Sequence, residues 1–96
     1  MAAYVISEVE PRDANEFARY RTLAAASIAK YGGRYLVRGG KVELVEGHPP
    51  AKTIIVVEFD SMARLREWYA SEDYAEALKV RQTALERRLL FVEGLP

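Results

Sequence analysis

An α+β domain of order β-α-β-β-α-β, an antiparallel sheet with its helices on one face, is what this chain predicts. Three observations carry that expectation. Apolar, β-branched runs at Ala3–Val9, Lys52–Phe59 and Arg88–Glu93 read as strands. Between them lie segments with apolar residues at helical spacing, each preceded by an Asp or Ser able to cap a helix. The 96 residues suit one domain spanning 1–96, with no internal linker or repeat.

Composition narrows the function classes. Lys+Arg and Asp+Glu number 14 each, which removes the electrostatic footprint of a nucleic-acid binder. There is no cysteine, so disulfides and thiolate metal sites are excluded. No apolar stretch reaches membrane-spanning length, and Met1–Glu8 lacks a basic segment followed by a long apolar run. A cytoplasmic protein with no membrane or nucleic-acid partner is expected. Half the residues are hydrophobic, enough for a core, although a domain this small buries a limited share of its surface.

The first strand is broken by Glu10-Pro11-Arg12-Asp13, and Asp13 is placed to cap a helix from Ala14 to about Lys30. Phe17, Tyr20, Ala24, Ile28 and Tyr31 form its apolar face, with Arg19, Arg21 and Lys30 off that line. Gly32-Gly33 ends it, because glycine accepts the left-handed conformation at a helix terminus. Arg34–Arg38 reads as strand, Gly39-Gly40-Lys41 interrupts it, and Val42–Glu46 resumes it. The pair is either a hairpin or one long strand with a bulge. Gly47-His48-Pro49-Pro50 is an expected loop, since proline removes a donor and fixes φ.

Lys52 to Phe59 is the strongest strand. Asp60 or Ser61 caps a helix over Met62–Ala70, with Met62, Leu65 and Tyr69 on one face. Ser71 caps a second helical segment, with Glu72 and Asp73 in the first turn where the helix dipole favours negative charge. Tyr74, Ala77, Leu78 and Arg81 share its face. This order is the split βαβ, or ferredoxin-like, arrangement.

A sheet covered on one side should alternate apolar and polar residues. This one does not. Thr53, Ile55, Val57 and Phe59 form one row, and Ile54 and Val56 the other. Leu89 and Phe91 likewise oppose Leu90 and Val92. Two helices cannot cover both faces, and a large exposed apolar patch is unusual on a soluble monomer. A second copy of the same sheet is the expected cover, giving a two-fold homodimer.

The segments Tyr31–Gly40 (Tyr-Gly-Gly-Arg-Tyr-Leu-Val-Arg-Gly-Gly), Glu46-Gly47, Glu58-Phe59, Trp68-Tyr69, Ser71, Tyr74, Arg81 and Val92-Glu93-Gly94 together resemble the domain-of-unknown-function 1330 family. The resemblance spans nearly the whole chain. It implies a dimeric α+β barrel of ferredoxin-like protomers. The wider superfamily that it implies holds cofactor-free monooxygenases, lactone isomerases, haem-dependent enzymes and proteins without known catalysis, so fold analogy alone does not choose among them.

The candidate ligand-binding residues are Tyr20, Arg38, Trp68, Tyr69, Tyr74 and Arg81. Arg81, on an apolar helix face, needs a partner. Glu58 or strand carbonyls would make it structural, whereas a ligand carboxylate would make it an anion clamp. Arg38 either flanks a concavity that receives a ligand or is a solvated or interface side chain beside a glycine bulge. Tyr20, Trp68, Tyr69 and Tyr74 are either core or the wall of a pocket between helices and sheet, because Tyr and Trp carry polar ends that need partners when buried. His48, the single histidine, sits in a proline loop without an orienting partner. No metal site, phosphate loop or nucleophilic triad can be assembled, no catalytic residue is assignable, and no cofactor is expected.

Three functions remain open at this stage. One is a cofactor-free enzyme or small-molecule binder in which Arg stabilises an enolate-like charge. Another is a non-catalytic ligand sensor or carrier. The last is a structural dimerisation module, which would require a solid helix–sheet interior.

Overall fold

The computed structural model describes residues 1–48 and 52–96. Its elements are β1 (Ala3–Pro11), α1 (Ala14–Lys30), β2 (Arg34–Arg38), β3 (Thr53–Phe59), α2 (Met62–Ala70), α3 (Glu72–Ala84) and β4 (Leu85–Glu93). The four strands form one antiparallel sheet of order β2-β3-β1-β4. This is the ferredoxin-like α+β arrangement, with the helical crossover between β3 and β4 divided in two.

Local chemistry sets the helix ends. The Asp13 carboxylate accepts from the Glu16 N–H at 3.0 Å and starts α1. Gly32, at φ 77°, turns the chain out of α1. Gly33 is glycine for a different reason: a Cβ there would stand 2.8 Å from both the Ile28 side chain and the Phe59 ring. Ser61 caps α2 by accepting from the Arg64 N–H. Ser71 serves two helices. Its hydroxyl donates to the Trp68 carbonyl at 2.7 Å and accepts from the Tyr74 N–H at 3.1 Å, so α2 ends where α3 begins.

The core lies between the helices and one face of the sheet. Along β1, Ala3, Val5, Ser7 and Val9 are buried, while their neighbours face the other way. Val57 and Phe59 of β3, Leu65 and Trp68 of α2, and Tyr74, Ala77, Val80 and Ala84 of α3 complete it with Tyr20, Ala24 and Ile28 of α1. The opposite face carries Ile6, Ile54 and Val56, partly exposed, and Leu90 and Val92, both exposed. The double apolar row read from the sequence is therefore present.

Three expectations are corrected. Val42–Glu46 does not form a strand. Pairing of β2 with β3 ends at Arg38↔Ile55, Gly39 turns away at φ 76°, and β3 already has β1 and β2 on its two edges. Val42, Leu44 and Val45 are left exposed. The last strand starts at Leu85, not Arg88, because it pairs with β1 along its full length, from Pro11↔Leu85 to Ala3↔Glu93. In α2, Trp68 and not Tyr69 joins Leu65 in the core. Pro49 and Pro50, the centre of the expected loop, lie outside the described residues.

Candidate functional site

A cavity of about 40 Å³ lies between α1 and the sheet. That exceeds the roughly 10–15 Å³ needed to seat one water. Its apolar wall includes Val5, Val9, Ile28, Val57 and Leu89, and its polar groups are Ser7, Tyr20, Tyr35, Trp68 and three arginines, Arg21, Arg38 and Arg87. A groove of about 340 Å³, lined by Phe17, Arg21, Arg38, Gly39, Thr53 and Ile55, shares four of these residues and continues the cavity outward.

Each arginine rests on an aromatic ring. The Arg38 guanidinium lies 4.5 Å from the Tyr35 ring centroid, Arg21 5.7 Å from that of Phe17, and Arg87 5.6 Å from that of Tyr20. Among the described residues, no carboxylate pairs with any of the three. Among the described residues, no Asp, Glu or His lines the cavity. The site is thus electropositive and lacks a conventional general base.

Behind it runs a hydrogen-bonded chain. Arg87 Nη1 donates to Tyr20 Oη at 2.6 Å, and the Tyr20 and Tyr74 hydroxyls lie 2.6 Å apart. Burial, and then Tyr74, push the Tyr20 phenol far above its ordinary pKa against the opposing pull of Arg87, so it stays protonated. Trp68 lies against Tyr74, centroids 4.2 Å apart, and its Nε1–H donates to Ser27 Oγ at 3.0 Å.

Of the six candidates, the structure brings Tyr20, Arg38 and Trp68 to the cavity and sets Tyr74 directly behind them. Tyr69 does not line it. It packs edge-on to Phe91 and remains partly exposed. Arg81 lies elsewhere, in an open polar groove with Arg12, Lys52, Glu86, Arg87 and Arg88. The proposed Arg81–Glu58 pair does not form, because Glu58 is held by Arg34 across the β2–β3 ladder. The buried face of α3 runs through Tyr74, Ala77, Val80 and Ala84, which leaves Arg81 at its margin.

Arg87, Arg21 and Ser27 are additions. Arg87 sits in the inward row Leu85, Arg87, Leu89, Phe91, and a charge in an apolar alternation was its available signal. His48 is exposed and apart from the cavity.

Fold and site together define a ferredoxin-like α+β protein with an arginine-rimmed cavity under its first helix. The chain belongs to the family described as domain of unknown function (DUF1330), whose profile matches residues 2–95. Among solved structures it is similar to a protein of unknown function from Rhodopseudomonas palustris, at TM-score 0.81 and 23% identity, covering 99% of this chain and 83% of that one. It is also similar to SnoaB, a cofactor-independent oxygenase from Streptomyces nogalater, at TM-score 0.69 and 11% identity over 99% and 94% of the two chains. A dimeric protein of unknown function and ferredoxin-like fold from Bacteroides fragilis is similar at TM-score 0.56 and 18% identity, over 97% and 96%. These likenesses establish the fold. No curated protein matches the chain.

Proposed function

We propose that this protein binds a small, oxygenated or anionic organic molecule in the cavity under α1, and acts on it as a cofactor-free enzyme. The observation that carries the reading is the cavity's charge. Three ring-stacked guanidiniums face it, and no acidic side chain lines it. Guanidinium is suited to planar carboxylate or enolate oxygen. Apolar walls with a few convergent polar groups are the usual make-up of a small-molecule site. The cavity of about 40 Å³ seats one or two waters, so a ligand ring would occupy the adjoining groove of about 340 Å³ and reach the cavity with its oxygen end. The fold shared with a cofactor-independent oxygenase supports chemistry without a prosthetic group, as analogy only.

The working unit in this proposal is a homodimer closed by the open sheet face. Ile6, Ile54, Val56, Leu90 and Val92 form an apolar surface that a second copy would cover. One similar structure is described as dimeric.

Native mass spectrometry of the protein with and without added benzoate tests both parts. The expected result is a dimer that takes up one benzoate per chain. A monomer would overturn the dimer, and a dimer that takes up no benzoate would overturn the binding site.

A further inference from the structure

Tyr20 and Tyr74 carry two hydroxyl protons, but their pairing uses only one. The 2.6 Å contact places a single proton between the two oxygens. Arg87 also donates to Tyr20 Oη, so it supplies no acceptor. Arg87 reaches the Tyr74 hydroxyl too, again only as a donor, and among the described residues neither hydroxyl has a second acceptor. One phenolic proton is therefore left over.

Its place follows from burial. Were Tyr20 to donate to Tyr74, the spare proton would sit on Tyr74, which is fully buried and does not line the cavity. An unmet donor there is costly. Were Tyr74 to donate to Tyr20, the spare proton would sit on Tyr20, which lines the cavity and can offer it to an occupant. The second arrangement leaves nothing orphaned once the cavity is filled. Ser7, also buried on the cavity wall, adds a second hydroxyl there.

We infer that Tyr20 and Arg87, with Tyr74 orienting Tyr20, form an oxyanion-binding pair, and that the ligand is a carbon or oxygen acid bound ionised: an enolate, phenolate or carboxylate. This rests on the ligand-site reading above and narrows its substrate class. Arg87 from β4, Arg21 from α1 and Arg38 from β2 are the charged groups around the cavity, and all three are cationic. Among the described residues no carboxylate or imidazole lines the wall to accept a proton, so the ligand enters as its anion, its O–H or C–H bond having broken heterolytically in solvent. Its electron pair stays on the ligand, as the oxyanion, and its proton goes to solvent. The Tyr20 phenol, whose pKa burial raises, serves as a donor and not as a base.

The test uses para-nitrophenol, whose ionised form is yellow, and para-nitroanisole as a neutral analogue that cannot ionise. The expected result is saturable binding in which the apparent pKa of para-nitrophenol falls by about one unit, a tenfold preference for the anion. Tyr20→Phe should erase most of that shift, and Tyr74→Phe less of it, while para-nitroanisole binds all three proteins alike. Arg87→Gln should also reduce the shift, and the two losses should not add because Arg87 and Tyr20 are hydrogen-bonded. Binding with an unshifted pKa, or a shift that Tyr20→Phe leaves intact, would overturn the oxyanion pair and leave the cavity reading standing. A larger loss in Tyr74→Phe than in Tyr20→Phe would overturn the proton arrangement. Failure of both probes to bind would overturn the cavity reading and the pair with it.

Discussion

Trp68 Nε1 donates to Ser27 Oγ at 3.0 Å, and the same hydroxyl donates onward to the Ala24 carbonyl at 2.8 Å. This pair ties α2 to α1, with Trp68 on the cavity wall. Ser27 and Trp68 are both buried. Ser27→Ala removes the acceptor and leaves the indole N–H unmet. The expected loss is about 1–3 kcal/mol of folding stability. A urea midpoint series at constant slope measures it, and a loss below about 0.3 kcal/mol would show that the indole finds another acceptor.

The two adjacent glycines should respond for different reasons. At Gly33 an added Cβ meets Ile28 and Phe59 at 2.8 Å, so Gly33→Ala should cost about 1–3 kcal/mol through overpacking. At Gly32 there is open space but φ is 77°, so Gly32→Ala should cost only about 1–2 kcal/mol through backbone strain. Partial relief of the Gly33→Ala loss by Ile28→Leu, which removes the clashing γ2 methyl, with none for Gly32→Ala, would separate the two causes in thermal melts.

Stability should fall at alkaline pH. Burial raises the Tyr20 phenol and, to a lesser extent, that of Tyr35, so the unfolded chain ionises first. The folded state then holds more protons than the unfolded one. Stability is full below the unfolded pKa of about 10 and declines as pH rises above it. Lys30, raised through its hydrogen bond to Asp73, acts with the same sign. Urea midpoints from pH 7 to pH 11 should be level and then drop, with a shallower alkaline drop in Tyr20→Phe. A midpoint that rises above pH 10 would contradict this sign.

The open sheet face should respond to charge without disturbing the core. Val56 faces away from the helices beside Ile6 and is partly exposed in the single chain. Val56→Glu should convert the proposed dimer to a monomer in size-exclusion light scattering while the circular dichroism spectrum is kept. A dimer that survives the substitution would move the interface elsewhere.

Much of the fold was legible because local chemistry and tertiary packing agree. Asp13, Ser61 and Ser71 cap where their side chains predict. The double apolar rows of residues 53–59 and 89–92 revealed a second face to be covered. What was not legible depended on pairing. Between Thr83 and Arg88 no glycine or proline marks the change from helix to strand, and the boundary is set by Pro11↔Leu85. Arg87 was missed with it. Val42–Glu46 has a strand's composition, but the chain leaves the sheet at Gly39 and the segment does not return to the free edge of β2. For Arg81 and Tyr69, positions on adjacent faces of short helices could not be resolved by spacing alone. The site residues with polar tips, Tyr20 and Trp68, were identifiable as groups needing partners. The partners, Arg87 and Ser27, required the fold.

Trp68 is the single tryptophan and lines the cavity, so its fluorescence reports occupancy directly. The most direct measurement is its titration with benzoate and with benzyl alcohol, which differ mainly in charge. The expected result is a saturable change with both and a dissociation constant for benzoate at least about tenfold lower, with that advantage lost in Arg87→Gln. Equal affinities for the two compounds, or no change in Trp68 emission with either, would contradict an anion-binding cavity under α1.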